Sequence, residues 1–355
     1  MTSSPFSIVP KKKKLSPINQ RRLKVFKNNK RAYYSLWIFS ILFFTSLLAE
    51  FIANDKPLIA SYKGQWHFPV LKIYPEIKFG GDFETEADYL DPYVIELIEN
   101  EGWILWPPIP YSFDTHIKNL KQPAPSAPTL NNLLGTDDQA RDVTARVIYG
   151  FRISILFALT LTLGSTVLGL FAGAIQGYYG GKIDLLGQRF LEIWGSLPVL
   201  FLLIILASIT KANFWWLLGI MLLFSWTSLV DVVRAEFLRC RKLDFVRAAQ
   251  ALGVSDIVIM WRHILPNAMV ATITMMPFLL TGAIATLTSL DFLGFGLPPG
   301  SASLGELVSQ GKNNLQAPWL AFTAFFVLSL MLTLLVFIGE GIRDALDPRL
   351  NKASN

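Results

Sequence analysis

The stretch DFVRAAQALGVSDIVIMWRHILP, from Asp244 to Pro266, lies between two long apolar segments. Its pattern predicts a short helix, a break and a second helix. Gly253 is placed to end the first helix, because glycine adopts the left-handed conformation at little cost. Ser255 can cap the next helix, and Pro266 suits the first turn of the helix after that. A polar, broken-helix loop between apolar spans indicates a docking site, and an ordinary linker with good caps is the alternative.

The composition excludes an ordinary soluble protein. Of the 355 residues, 52% are hydrophobic and only 16% are charged, whereas soluble domains carry roughly 25% charged residues. The single cysteine, Cys240, excludes an internal disulfide, and three scattered histidines disfavour a zinc site. Residues 180–182 (Gly-Gly-Lys) lack the upstream glycine and the following Ser or Thr of a phosphate-binding loop. We therefore expect no catalytic residue, no metal, no cofactor and no ATP bound by this chain.

Six apolar segments are long enough to cross a membrane, which takes about 20 residues. They are residues 33–53, 153–176, 190–209, 214–233, 266–290 and 318–338. Cations cluster before the first segment and in alternate linkers, so the positive-inside rule predicts that both termini are cytoplasmic. The cations on the predicted inner side are Lys11–Lys14, Arg21, Arg22, Lys24, Lys27, Lys30, Arg31, Lys182, Arg189, Arg234, Arg239, Arg241, Lys242, Arg247, Arg262, Arg343, Arg349 and Lys352; the short outer linkers carry Lys211 and Lys312. A cleavable signal peptide is disfavoured, because the first apolar run is too long and no small-residue cleavage site follows.

The segment of residues 54–150 is expected outside and partly folded. One short helix is predicted after Asp91-Pro92, ending at Gly102, and prolines mark extended connectors on either side of residue 115. Thr136 and Gln139 fit a capping box before the second span. The aspartates near them lack the spacing of a calcium loop. The segment is interpreted either as a cap on the outer mouth or as a docking surface for an outside partner.

Small residues recur every four positions in the second span, at Ser165, Gly169, Gly173 and Gly177. Such a face lets another helix come very close, either within the chain or at a subunit interface. Pro198 and Pro277 lie within spans; they are expected to produce mild kinks, and bending of the helices around a passage is the alternative. The six spans carry no ionisable residue near their middles, which disfavours a carrier driven by an ion gradient.

The loop resembles the cytoplasmic coupling loop of ATP-driven importer permeases. That family has Glu-Ala-Ala, three residues, Gly, nine residues, a hydrophobic residue, any residue and Leu-Pro. Here Ala248, Ala249 and Gly253 match, followed at the right distance by Leu265 and Pro266, while Arg247 replaces the glutamate and His263 the hydrophobic residue. We call residues 239–266 the coupling loop.

Further motifs are similar to the C-type permeases of dipeptide and oligopeptide importers. They are Gly135-Thr-Asp-Asp with Arg141-Asp-Val, Gly177-Tyr-Tyr-Gly-Gly, Phe292-Leu-Gly-Phe-Gly-Leu and Asp344-Ala-Leu-Asp-Pro-Arg. The variant Gln139-Ala140, the run of residues 192–198 and the insert with Phe79-Gly-Gly-Asp-Phe resemble the Yej-type branch most closely. Some members of that branch admit peptide-nucleotide antibiotics of the microcin C type.

The resemblance implies an all-α membrane protein of six transmembrane helices, with the type I importer permease fold and a large periplasmic insert after the first helix. The expected parts are a basic cytoplasmic tail (1–32), the first helix (33–53), the insert (54–150), a five-helix core (151–345) and a cytoplasmic tail (346–355). The implied function is peptide import across the inner membrane of a bacterium.

The partners that the resemblance implies are a second, related permease, an ATPase that is often one fused double-domain chain, and a periplasmic peptide-binding protein, with membrane lipid around them and no nucleic acid. The ATPase would dock on residues 244–266 and, by binding and hydrolysing ATP, turn the passage outward and back. A secondary carrier, a membrane-anchored receptor and a membrane enzyme remain the competing hypotheses, in that order.

Overall fold

The computed structural model describes residues 16–120, 122–209 and 213–347. Three helices come first, and an insert of short strands and turns follows them. The first helices are α1 (Pro17–Asn28), α2 (Lys30–Leu47) and α3 (Ala49–Ile52). The insert contains β1 (Ile59–Tyr62), β2 (Gln65–His67), a 3-10 turn (Glu76–Phe79), α4 (Pro92–Asn100) and β3 (Gly102–Leu105). The remaining helices are α5 (Val143–Tyr179), α6 (Gly181–Gly195), α7 (Val199–Ile209), α8 (Phe214–Ser225), α9 (Thr227–Cys240), α10 (Asp244–Ala251), α11 (Asp256–Val258), α12 (Leu265–Phe292), α13 (Leu304–Asn313) and α14 (Pro318–Leu346).

Three continuous helices are long and apolar enough to cross a membrane: Val143–Tyr179, Asp256–Phe292 and Pro318–Leu346. Two bent pairs, α6 with α7 and α8 with α9, raise the number to five if each pair is one span. The first predicted span is formed by α2 and α3, which pack against α14 and α5. The six predicted spans therefore all coincide with helices. Lys11–Lys14, Lys211, Arg349 and Lys352 lie outside the described residues.

The two prolines within predicted spans behave differently. The chain bends by 73° between α6 and α7, at Pro198, because proline lacks an N–H and disfavours a helical conformation in the residue before it. This is a break and not the mild kink that we expected. Pro277 lies inside α12, which runs through it without interruption.

The insert has its own small apolar core. Strand β1 pairs antiparallel with both β2 and β3, so that Ser61 lies opposite Trp66 and Trp103. The other face of β1 packs on Phe79 and on α4. The predicted short helix is α4, and the carboxylate of Asp91 caps it by accepting from the Tyr93 N–H at 2.9 Å. The membrane part is helical as predicted, while the sheet was not anticipated, because its strands are only three or four residues long.

A buried cluster of charges joins the insert to the helical core. Asp137 is fully buried, and its Oδ2 accepts from Arg141 Nε at 2.7 Å and lies 3.4 Å from Arg146 Nε. Both guanidinium groups also reach Glu306 of α13, at 3.0 Å from Arg141 and 2.9 Å from Arg146. The two arginines are buried as well. The cluster therefore ties the chain that enters α5 to α13, which lies near the far end of the sequence.

The capping box predicted at Thr136 and Gln139 is wrong. Helix α5 begins later, and Asp142 caps it by accepting from the Ala145 N–H at 2.8 Å. The Thr136 hydroxyl instead accepts from the Ser126 N–H at 2.8 Å. Asp137, directly after Thr136, is paired with the buried arginines, and that charge pairing keeps the segment in a turn.

Candidate functional site: the coupling loop and the cavity of the helical core

The coupling loop contains two helices joined by a left-handed glycine, as predicted. Helix α10 ends at Ala251, and Gly253 has a φ of +74°. The Gly253 N–H donates to the Gln250 carbonyl at 3.0 Å, and the Val254 N–H donates to the Ala249 carbonyl at 3.1 Å. These bonds close a helix-ending turn. A Cβ at Gly253 would have no atom within 4 Å, so a side chain there would point away from the described chain.

The second half of the loop differs from the sequence-based expectation. Ser255 holds the N-cap position of α11, but its side chain makes no capping bond. The helix then continues unbroken over Asp256–Phe292, through a π-helical turn at Ile259–Ile264. Pro266 does lie in the first turn of α12, but no gap precedes it. The wide turn suits the proline, which lacks an N–H and clashes with the carbonyl four residues before it.

The small residues of the loop divide between two faces. Ala249 is buried, whereas Arg247, Ala248 and Gly253 are exposed. Leu265 is half-buried and Pro266 is exposed. Adjacent helical residues point about 100° apart, so the two alanines cannot share one surface. Ala248 therefore lies on the outer surface of the loop, while Ala249 packs inward.

Two rows of exposed apolar side chains mark the outer surface of the loop, and we call them the outer rows. The first row is Phe245 and Ala248 of α10 with Leu252 directly after it, spaced as on one helix face. The second is Ile257 and Trp261, four residues apart. Leu252 is 83% exposed and Trp261 is 66% exposed. These rows were not predicted from the sequence. The sequence signal for them is a second set of apolar residues in the loop, in addition to the set that is buried.

The inner surface of the loop packs on the helical core. Val246, Ala249 and Ile259 form one apolar cluster with Phe237 of α9 and Tyr178 of α5. This cluster holds both helices of the loop against the ends of α5 and α9. The outer rows are therefore presented on a supported surface.

The small-residue face of α5 packs within the chain, against α9. A Cβ at Gly173 would lie 2.7 Å from the Val230 carbonyl oxygen, and one at Gly177 would lie 2.5 Å from Phe237 Cβ. A Cβ at Gly169 would lie 2.9 Å from Leu229 Cβ. Ser165, at one end of the face, makes a 2.6 Å hydroxyl contact with Ser225, the last residue of α8. Of the two alternatives for this face, the structure shows internal packing.

A cavity of about 300 Å³ opens between α5, α7, α8, α9 and α12. Its lining residues are Leu161, Thr162, Ser165, Val199, Leu203, Met221, Phe224, Ser225, Ser228, Phe278, Leu279, Gly282, Ala283 and Thr286. Within the described part of the chain, this lining is apolar with hydroxyl groups and carries no ionisable side chain. The aromatic side chain of Phe278 lines the cavity, and Trp215 is exposed.

Proteins of known name match almost the whole chain. Peptidoglycan transport system permease protein YejE of Agrobacterium fabrum strain C58 is 58% identical over an alignment of 366 positions, which covers 96% of each chain. Inner membrane ABC transporter permease protein YejE of Escherichia coli K12 is 59% identical over 340 residues, covering 96% of this chain and 99% of that one. Residues 165–352 match the family described as the binding-protein-dependent transport system inner membrane component. The chain belongs to this family.

A more distant relative agrees with this membership. Oligopeptide transport system permease protein OppC of Lactococcus lactis IL1403 is 36% identical over 228 residues, covering 63% of this chain and 78% of that one. A structure of the MetNI methionine ABC transporter, described as inward facing, covers 57% of this chain and 96% of its own with a TM-score of 0.47 and 14% identity.

Membership establishes the general role of the chain. It is a multi-pass inner-membrane permease subunit of an ABC importer, with the permease fold of that family, and it is a transport component and not an enzyme. Such a permease works with an ATPase and a substrate-binding protein. The coupling loop lies within the residues that match the family, and so do all the cavity-lining residues except Leu161 and Thr162.

Proposed function

We propose that this chain imports peptides as one of two related permease subunits, and that a cytoplasmic ATPase docks on the outer rows of the coupling loop. The observation that carries the proposal is the exposure of large apolar side chains on a supported helical surface. Exposed apolar patches mark interaction sites, and aromatic residues are favoured as anchors of interfaces. Arg247, at the family's glutamate position, is exposed beside the first row, so an acidic group on the ATPase would complement it. ATP itself would be bound by that partner.

The same geometry supports a cytoplasmic position for the coupling loop and both termini. The loop end of the bundle carries Arg239, Arg241 and Lys242, and cations are enriched on the cytoplasmic side of membrane proteins. The N-terminal helices reach the same end, since Asn29 Nδ2 donates to Asp344 Oδ2 near the end of α14 at 3.3 Å. The insert then lies at the opposite, periplasmic end, where a peptide-binding protein would deliver its cargo.

The proposed cargo class follows from the relatives and the cavity together. The OppC relative is named for oligopeptide transport and the Agrobacterium relative for peptidoglycan transport. A cavity lined by hydroxyls and apolar groups can accept peptides without selecting for charge. Peptide-nucleotide conjugates of the microcin C type fall within the same proposal. Uptake of a labelled tripeptide, compared with that of a peptidoglycan-derived peptide, distinguishes the two named cargo types.

Changing Gly253→Trp is expected to uncouple the importer. The indole would project from the loop into the space that the ATPase must occupy. Losing one strong interface anchor costs about 2 kcal/mol or more, so peptide uptake and recovery of the ATPase with the purified permease should each fall at least about tenfold. The measurements are uptake into membrane vesicles and co-purification in mild detergent.

The matched control is Gly253→Asn, because asparagine tolerates a positive φ better than other side chains do. Gly253→Asn should keep most of the peptide uptake and most of the ATPase recovery. The comparison separates obstruction of the surface from strain in the turn. Full uptake by Gly253→Trp would contradict docking at this surface. Uptake by the chain alone, driven by an ion gradient, would identify a secondary carrier instead.

A further inference from the structure

We infer that Tyr178 is a positioning residue that transmits movement of the coupling loop to α5, and so to the cavity. This inference rests on the proposed docking of an ATPase at the loop. Tyr178 lies next to the last residue of α5 and is only 7% exposed. It belongs to the part of α5 that touches the loop and lies outside the cavity lining.

Tyr178 holds two parts of the loop at once. Its hydroxyl donates to Asp256 Oδ1, at the start of α11, at 2.6 Å. The Tyr178 carbonyl accepts from Arg241 Nη1, just after α9, at 3.0 Å. Among the described residues, the hydrogen bonds that join α5 to residues 239–266 all go to Tyr178.

The rest of the contact between loop and core is apolar. Val246, Ala249 and Ile259 pack on Phe237 and on the Tyr178 ring. Hydrophobic contact is non-directional, so these side chains alone would let the loop slide or tilt over the core. A hydrogen bond to a carboxylate is short and directional. The Tyr178–Asp256 bond therefore fixes the register of the loop on α5.

Helix α5 connects the bonded end of the loop to the cavity. Ser165 and Thr162 line the cavity, and Ser165 lies 13 residues from Tyr178, about 20 Å along a helix that rises 1.5 Å per residue. The close glycine packing on α9 prevents α5 from absorbing a displacement by bending away. A movement of the loop would therefore reach the cavity wall.

A second set of contacts links α5 and α9 to the part of the cavity wall that α7 forms. Arg234 of α9 forms a two-point ion pair with Asp184 of α6, and Gln188 of α6 donates to Gln176 of α5 at 3.0 Å. Helix α6 leads through the 73° bend into α7, whose Val199 and Leu203 line the cavity. Both parts of the cavity wall are thus linked to α5, the helix that carries Tyr178.

The test replaces Tyr178→Phe, which removes only the hydroxyl, in the full complex of permeases, ATPase and binding protein in proteoliposomes. The matched control is Tyr179→Phe: Tyr179 is the adjacent tyrosine, is 48% exposed and packs edge-on against Tyr178. The quantity measured is peptide transported per ATP hydrolysed. A hydrogen bond to a charged group corresponds to about a tenfold change in an equilibrium, so Tyr178→Phe should lower this ratio about tenfold, while Tyr179→Phe leaves it unchanged.

Asp256→Ala should lower the ratio similarly, and the double variant should be no worse than either single one, because both changes break one bond. An unchanged ratio in Tyr178→Phe, or additive losses in the double variant, would overturn the inference. So would loss of the ATPase from purified Tyr178→Phe complexes, since that would show a role in holding the partner and not in transmission. If the unaltered chain and Tyr179→Phe also fail to bind an ATPase, the proposed function itself fails.

Discussion

Replacing Gly173→Leu should largely abolish recovery of folded protein from the membrane. A side chain at this position meets the Val230 carbonyl oxygen at 2.7 Å and Val233 Cβ at 2.8 Å, and backbone atoms cannot rotate aside. Overpacking usually costs about 1–3 kcal/mol and occasionally more, and here α5 and α9 would have to separate along their contact. The measurements are the yield of monodisperse protein after detergent extraction and its thermal unfolding temperature.

The matched control is Gly219→Leu in α8. A Cβ at Gly219 has no atom within 4 Å, so the same substitution should leave both the yield and the unfolding temperature close to those of the unaltered chain. Equal yields from Gly173→Leu and Gly219→Leu would contradict the close packing of α5 on α9.

The second large effect is expected from Asp137→Asn. This change keeps the shape of the side chain but removes a negative charge that faces two buried arginines, Arg141 and Arg146. Among the described residues, Glu306 would then be the one carboxylate that forms an ion pair with both guanidinium groups. Breaking a buried ion pair costs about 3–5 kcal/mol, because an uncompensated charge remains. The unfolding temperature should fall clearly, and proteolysis should become faster in the segment that joins the insert to α5.

Asp88→Asn is the control for that change. Asp88 lies 3.6 Å from Lys118, and both side chains are exposed, so the pair contributes about 0–1 kcal/mol. The control should unfold close to the temperature of the unaltered chain. A similarly small effect of Asp137→Asn would show that the buried cluster does not hold the insert on α13.

The membrane spans and the glycine turn could be predicted from the sequence because their signals are local. A run of apolar residues indicates a membrane span whatever the rest of the chain contacts. In the same way, Gly253 between two short polar helices indicates a turn. The buried charges could not be predicted in this way. Arg141 and Glu306 are 165 residues apart, and without that pairing the neighbouring Thr136 and Gln139 fit a helix cap equally well.

The candidate site was only partly predictable for a similar reason. The pattern located the loop and its small residues, but α10 is only eight residues long, and nothing in its sequence shows which face packs on α9. Only the fold shows that Ala249 turns inward and Ala248 outward. The role of Tyr178 was hidden as well, because its partner Asp256 is 78 residues away.

The most direct test of the account is site-specific cross-linking from Leu252 in the assembled complex. The single cysteine, Cys240, is buried, so Cys240→Ser gives a background in which Leu252→Cys can carry a photoactivatable maleimide. Leu315→Cys is the control: Leu315 is 82% exposed, almost as exposed as Leu252 at 83%, but lies between α13 and α14 at the insert end. The account predicts adducts with the ATPase from position 252 and none from position 315. ATPase adducts from position 315, or none from position 252 in an active complex, would contradict it.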